Sequence, residues 1–128
     1  MHVEDFKGRV SVSLENELTH RLQSVRDGDY GAFILSHQDE GPNLWVHVNK
    51  EVAYLHYFPH GRHPGFQAWG MTPSGVEDYV RFRQVGDVEA DAVNMPGETV
   101  VPIETAYKAA VEFFNNPDLP KSVRWTEL

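Results

Sequence analysis

The sequence predicts an α+β fold, with an antiparallel sheet of about five to seven strands and an N-terminal and a C-terminal helix packed on it. Apolar residues recur at helical spacings of three and four near the beginning and the end of the chain. Between them lie short segments that alternate with a period of two, separated by turns containing glycine and proline. Consecutive strands without intervening helices favour an antiparallel meander, and the predicted order is helix, strands, helix, strand.

Composition and charge restrict the class of protein. The chain has 128 residues, of which 41% are hydrophobic and 23% are charged, as expected for one globular domain spanning residues 1–128. A formal net charge of −8 disfavours a surface that neutralises nucleic-acid phosphates. The absence of cysteine excludes a thiol nucleophile, a disulfide framework and a cysteine-ligated zinc site. Met1–Val10 lacks the apolar core of a signal peptide and no apolar run is long enough to span a membrane, so a cytoplasmic protein is expected.

The first predicted helix follows Ser13, whose side chain is a suitable N-cap. The helix carries a narrow apolar stripe formed by Leu14, Leu18, Leu22 and Val25. The turn Asp27-Gly28-Asp29 ends it. This stripe predicts that one side of the helix packs on the sheet.

Three central strands are predicted at Tyr30–His37, Leu44–Val48 and Val52–Phe58. The residues around Lys50 and Glu51 can join the last two as a tight hairpin. With a two-residue loop, parity places six side chains on a core face: Leu44, Val46, Val48, Ala53, Leu55 and Tyr57. The opposite face carries Trp45, His47, Tyr54, His56 and Phe58. Such an aromatic and polar face predicts either a second core layer covered by a helix or an exposed interaction surface.

Three shorter strands are expected at Gly65–Gly70, Tyr79–Gln84 and Asp91–Met95. In the second of these, Val80 and Phe82 suit the core face. Alternation then directs the intervening side chains outward: Tyr79, Arg81 and Arg83.

The second helix is predicted to begin at Pro102 and to continue to Asn116-Pro117. Its apolar residues recur at spacings of three and four: Ile103, Ala106, Tyr107, Ala110 and Phe114. In the tail, Val123 and Trp125 alternate with polar residues, so a final edge strand is expected there.

No catalytic motif is complete in this sequence. Gly70 and Gly75 have the glycine spacing of a phosphate-binding loop, but Val76-Glu77 stands where lysine and serine or threonine are required. Ser74 lacks the Gly-x-Ser-x-Gly turn that presents a nucleophilic hydroxyl. The chain is therefore predicted not to be an enzyme, and no cofactor or metal is expected.

Three histidines, His56, His60 and His63, form a cluster in the sequence, and histidine is the commonest metal ligand. On a continuing strand, residues four apart lie about 13 Å from each other, so the first two share a metal only if the loop bends back. No known zinc spacing is present, which favours histidines of loop and surface. The alternative function is a small ligand- or metal-binding, enzyme-like domain that uses these three residues.

A second alternative is a platform on which nucleic-acid bases stack. It would combine aromatic residues with arginines: Trp45, Tyr54, Trp69 and Tyr79 with Arg81 and Arg83. The global negative charge works against this hypothesis, so a nucleic-acid partner is not expected.

The sharpest charge asymmetry lies between Arg83 and Lys108, where the chain has no basic residue. Five acidic residues occupy this segment: Asp87, Glu89, Asp91, Glu98 and Glu104. Together they can steer a basic partner by raising its association rate. Singly, each is also consistent with a solvated loop or, for Glu104, with a favourable position at a helix N-terminus.

The order and spacing of several motifs resemble immunity family one of bacterial polymorphic toxin systems. The resemblance covers about residues 30 to 126 and depends on these segments: Tyr54-Leu55-His56-Tyr57-Phe58, the loop to Pro64-Gly65-Phe66, Val80-Arg81-Phe82, Val101-Pro102-Ile103, Glu112-Phe113-Phe114 and Pro120 to Trp125. The first helix supports it only by position.

The resemblance implies a non-enzymatic cytoplasmic inhibitor that binds a cognate toxin domain, often a nucleic-acid deaminase, and occludes its active site. It transfers no interface residues. From parity and charge, we expect the partner-binding residues to be Trp45, Tyr54, Trp69, Asp87, Glu89, Asp91 and Glu98. An edge strand or the aromatic face also allows a homodimer.

Overall fold

The computed structural model describes residues 1–86 and 92–128, which form an α+β fold with ten strands and two α-helices. In chain order the elements are β1 (His2–Asp5), β2 (Gly8–Ser11), α1 (Glu15–Ser24), β3 (Tyr30–Ser36), β4 (Asn43–Asn49), β5 (Val52–Phe58), β6 (Phe66–Ala68), β7 (Tyr79–Phe82), β8 (Val93–Pro96), a single 3₁₀ turn (Gly97–Thr99), β9 (Val100–Pro102), α2 (Ile103–Asn115) and β10 (Trp125–Glu127). The predicted fold class is confirmed, with more strands than expected.

The main sheet is an antiparallel meander through β3, β4, β5 and β6, extended by a strand or hairpin at each edge. Its order is β10-β6-β5-β4-β3-β1-β2. One edge of β5 is shared, because β6 pairs with its final residues and β9 pairs with Val52, Ala53 and Tyr54. The predicted edge strand in the tail is confirmed as β10.

The hairpin of β4 and β5 has the predicted register. Leu44 lies opposite Tyr57, Val46 opposite Leu55, and Asn49 opposite Val52, which leaves Lys50 and Glu51 as a two-residue loop. All six residues of the predicted core face are buried. Both helices belong to the core on this side, where they contribute their buried residues: Leu18 and Leu22 from α1, and Ala106, Ala109, Ala110 and Phe113 from α2.

The opposite face of the sheet, here called the back face, is half covered by a separate two-stranded ribbon of β7 and β8. Tyr54, Phe82 and Val100 form the buried centre of this second core. Of the two alternatives, the second core layer is present, but the ribbon covers it and not a helix, since both helices pack on the other side. Phe82 is buried as predicted, but Phe82 and Val80 pack in this second core and not in the main one.

The N-terminal segment was not predicted as a hairpin, yet β1 and β2 pair with each other and β1 adds to the edge of β3. Two strands consequently precede the first helix. Asp5 is 3% exposed and accepts two hydrogen bonds from Arg21 of α1, at 2.6 and 2.9 Å. This bidentate ion pair, together with burial of Val3, docks the hairpin against the helix layer.

The start of α1 also differs from the prediction. The N-cap is Leu14 and not Ser13, and Leu14 is 60% exposed instead of contributing to the apolar stripe. The Glu17 carboxylate accepts hydrogen bonds from the backbone N–H groups of Ser13 and Leu14, at 3.0 and 2.8 Å. Because Glu17 satisfies these donors from inside the first turn, no capping hydroxyl is needed at Ser13.

Truncation of the two leucines tests this assignment. Leu18→Ala removes a fully buried side chain, so we expect the free energy of unfolding to fall by about 2–5 kcal/mol. The same chemical change at the exposed Leu14 should cost less than about 0.5 kcal/mol. Urea unfolding followed by circular dichroism measures both, and equal losses would contradict the placement of Leu14 outside the core.

Candidate interaction site

Two of the predicted contact residues, Trp45 and Tyr54, lie on the back face, one in its open half and one in its covered half. Trp45 is half-buried in the open half, where its ring packs against Phe58 at 5.2 Å between centroids. Tyr54 lies under the ribbon and is only 6% exposed. Tyr54 therefore supports a surface from below and offers little area of its own.

Trp69 and Glu98 come together beside the ribbon. Trp69 is 50% exposed and follows β6, whereas Glu98 is exposed in the 3₁₀ turn after β8. The backbone N–H of Gly70 donates to the Glu98 carbonyl at 2.9 Å, which ties the two segments together. The remaining predicted contact residues, Asp87, Glu89 and Asp91, lie outside the described residues.

A cleft of about 540 Å³ borders the ribbon at this end of the molecule. Its lining includes Glu77, Asp78, Tyr79 and Glu98, and the Tyr79 side chain is 63% exposed. Alternation along the strand predicts that Tyr79 faces outward, but no sequence pattern singles out Glu77 and Asp78 before it. Glu77 and Asp78 lie before the segment between Arg83 and Lys108 that has no basic residue, and they belong to no helical or strand periodicity.

The open half of the back face is organised around His56. Its Nε2 lies 2.9 Å from the Pro64 carbonyl, which only accepts, so Nε2 carries a proton and donates. In the neutral ring, Nδ1 is then an acceptor, and the Tyr54 hydroxyl lies 3.0 Å from it and 3.2 Å from Gln67 Oε1. The ring also stacks on Phe58 at 4.1 Å between centroids.

Burial shifts the ionisation of both groups in this hydrogen-bonded chain. Desolvation lowers the pKa of His56 below 6.5, and the hydrogen bond to the Pro64 carbonyl partly opposes that change. Desolvation raises the pKa of Tyr54 to about 12. The imidazole of His56 and the phenol of Tyr54 are therefore both neutral at neutral pH.

The other two histidines brace the loop that follows β5. The backbone N–H of Gly65 donates to Nδ1 of His63 at 2.8 Å, so Nε2 of His63 carries the proton and donates to Glu127 at 2.7 Å. Nδ1 of His60 accepts from the Arg62 backbone at 3.3 Å. Among the described residues, no three His, Asp or Glu side chains are grouped so as to hold a metal ion. These contacts give the histidine cluster a role in loop structure.

The base-stacking hypothesis needs aromatic and arginine side chains on one open face, and the structure separates them. Tyr54 is buried, whereas Tyr79 is exposed on the ribbon. Arg83 is not directed outward, because its guanidinium lies 4.8 Å from the Phe6 ring centroid and pairs with Asp27. The four aromatic residues therefore do not form one continuous platform.

Gly65 permits the close approach that seats His56. A Cβ atom at this position would lie 2.2 Å from Nε2 of His56, and the residue has a positive φ of 99°. We expect Gly65→Ala to displace the imidazole and to destabilise the protein by about 1–3 kcal/mol. Gly61→Ala in the same loop is the matched control, because a Cβ there has nothing within 4 Å. Unfolding in urea compares the two, and equal stability would contradict the role of Gly65.

The titration of His56 gives a second test. Because burial lowers its pKa in the folded state, its contribution to stability is full above pH 6.5 and is lost as pH falls toward the folded pKa. We expect an NMR titration midpoint below 6.5 for this ring. A midpoint at or above 6.5 would contradict the buried, neutral assignment.

Comparison with known proteins assigns this chain to a family. The family model for Immunity protein Imm1 matches residues 7–127. A relative from Burkholderia cenocepacia (strain H111), described as a double-stranded DNA deaminase immunity protein, is 25% identical over 130 residues and is covered completely, as is this chain. None of the helices in the described residues is long and apolar enough to cross a membrane. With the family model matching almost the entire length, the chain belongs to the Imm1 immunity protein family.

Proposed function

We propose that this chain is a cytoplasmic inhibitor that binds a cognate toxin domain and neutralises it. The observation that carries the proposal is the Imm1 match over residues 7–127. The relative that is named as a double-stranded DNA deaminase immunity protein supports a deaminase as the toxin, because the two chains align over their full lengths.

The proposed mechanism is occlusion of the toxin's active site without any chemistry on the part of the inhibitor. An inhibitor of this kind needs a stable surface with complementary shape and charge, and residues 1–128 would act as one binding domain. The internal hydrogen bonds of His56 and His63 are consistent with this role, since they commit two reactive side chains to structure.

The proposed contact surface is centred on Trp69 and Glu98, which are both exposed and lie on adjoining segments. Trp45 extends the surface along the open back face, and Tyr54 supports it from beneath. Asp87, Glu89 and Asp91 belong to the proposal on the basis of charge alone. Their acidity suits a toxin that must contact DNA phosphates through basic residues.

The direct test uses a double-stranded DNA deaminase toxin domain as the proposed cognate partner. We expect the two proteins to co-purify and to bind one to one in calorimetry. Deamination of double-stranded DNA by the toxin should fall to background when the inhibitor is in equal amount. A folded chain that neither binds nor inhibits an active toxin would refute the proposed function.

Charge reversal tests the acidic segment separately. Replacement of Asp87, Glu89 and Asp91 by lysine should slow association with the toxin by about tenfold or more and should weaken its dependence on salt. Stopped-flow kinetics over a range of ionic strength measures both effects. Unchanged association rates would remove this segment from the interface.

A further inference from the structure

We propose that the cleft beside the ribbon, here called the Tyr79 cleft, is a docking site for an arginine- or lysine-bearing segment on the DNA-contacting face of the toxin. Six residues give the cleft its chemistry: Val76, Glu77, Asp78, Tyr79, Pro96 and Glu98. This inference rests on the proposed function and names the surface and the partner chemistry that would carry it out.

The floor of the cleft is rigid because Gly97 packs directly on the backbone before β7. Its N–H donates to the Asp78 carbonyl at 2.7 Å, and its carbonyl accepts from the Thr72 hydroxyl at 2.7 Å. A Cβ at this position would lie 2.5 Å from the Glu77 carbonyl oxygen, so only glycine fits. A preformed cleft lowers the cost of ordering the inhibitor when a partner binds.

The cleft is acidic, and its lining in the described part of the chain contains no cationic residue. Its three carboxylates, from Glu77, Asp78 and Glu98, are exposed. Within residues 1–86 and 92–128, none of these carboxylates forms an ion pair or a side-chain hydrogen bond. By contrast, the carboxylates of Asp5, Asp27 and Glu127 all have cationic or imidazole partners.

Two exposed aromatic rings accompany these free carboxylates. Tyr79 is 63% exposed and lines the cleft, and Trp69 is 50% exposed on the segment tied to Glu98. Large exposed rings are unusual on a surface that meets only water, and they are typical anchors of protein interfaces. An aromatic face beside a carboxylate also suits a guanidinium, which can stack on the ring and donate to the oxygens.

Charge complementarity identifies the occupant. A toxin that acts on double-stranded DNA must bring basic side chains to the phosphates. A segment carrying those side chains fits a cleft that offers three free carboxylates and an aromatic ring. Occupation of the cleft would therefore engage the residues that the toxin needs for its substrate.

The test compares toxin binding by the wild-type chain, Glu77→Lys/Asp78→Lys and Tyr79→Ala. We expect the double reversal to slow association by about tenfold or more at low ionic strength, with the difference shrinking as salt is added. Tyr79→Ala should raise the dissociation rate by about tenfold, whereas Tyr79→Phe, which keeps the ring, should bind like the wild type. Surface plasmon resonance with the immobilised toxin domain measures both rates.

A matched control makes the same change of charge far from the cleft. Glu40 and Asp118 are exposed: Glu40 precedes β4, and Asp118 lies close enough to Tyr57, near the end of β5, to raise its pKa. Both therefore lie at the end of the hairpin away from the Lys50-Glu51 turn, and Glu40→Lys/Asp118→Lys should leave association within about twofold. Thermal unfolding of each variant confirms that it is folded. We expect the double reversal at the cleft to cost little stability, since within residues 1–86 and 92–128 the Glu77 and Asp78 side chains form no ion pair.

The outcomes separate this inference from the proposed function. If the wild type inhibits the toxin and the cleft variants bind as tightly and as fast, the Tyr79 cleft is refuted while the immunity function stands. If both double reversals slow association equally, the effect is one of net charge and the cleft is again refuted. If the wild type neither binds nor inhibits, both proposals are overturned.

Discussion

The two-residue turn between β4 and β5 is the constraint on which the rest of the structure depends. Successive side chains of a strand point to opposite faces, so a slip of one residue would exchange the main core for the back face. Lys50 has a positive φ of 57°, and its N–H donates to the Asp29 carbonyl at 2.9 Å. The Glu51 carbonyl accepts from the N–H of Ile103 at the same distance. The turn is thus held from both sides, by the segment before β3 and by the start of α2.

The two faces of the sheet use different physical means to become stable. The main core is closed by apolar residues of two helices, and the Tyr57 hydroxyl within it donates to the Pro117 carbonyl at 3.2 Å. The back face contains tyrosine and histidines, so its buried polar atoms have to find hydrogen bonds. Tyr54 and His56 of β5 and Gln67 of β6 form a hydrogen-bonded chain, and the Pro64 carbonyl accepts from His56. Histidines that resemble metal ligands in the sequence therefore act as polar braces.

The immunity family and the surface chemistry are consistent with each other. The formal net charge of −8 is spread over many exposed residues, yet several acidic side chains elsewhere are paired with arginine or hydrogen-bonded to histidine. Near the ribbon, the carboxylates of Glu77, Asp78 and Glu98 are exposed and form no ion pair with the other described residues. Long-range attraction favours rapid encounter with a basic protein, whereas exposed rings such as Tyr79 supply contact area after encounter.

The sequence by itself determined the fold class, the helices and the hairpin register, because these follow from periodicity and turn chemistry within short segments. Val46 facing Leu55 is an example, since parity and a two-residue loop are enough to place them. Only the tertiary structure decided that Phe82 lies on the back face and that Tyr54 is buried beneath it. Alternation shows that side chains on a strand point to opposite sides, but it does not show which sheet the strand joins. The ribbon is positioned by contacts between residues distant in sequence, and the same contacts place Tyr79 beside Glu98 at the cleft.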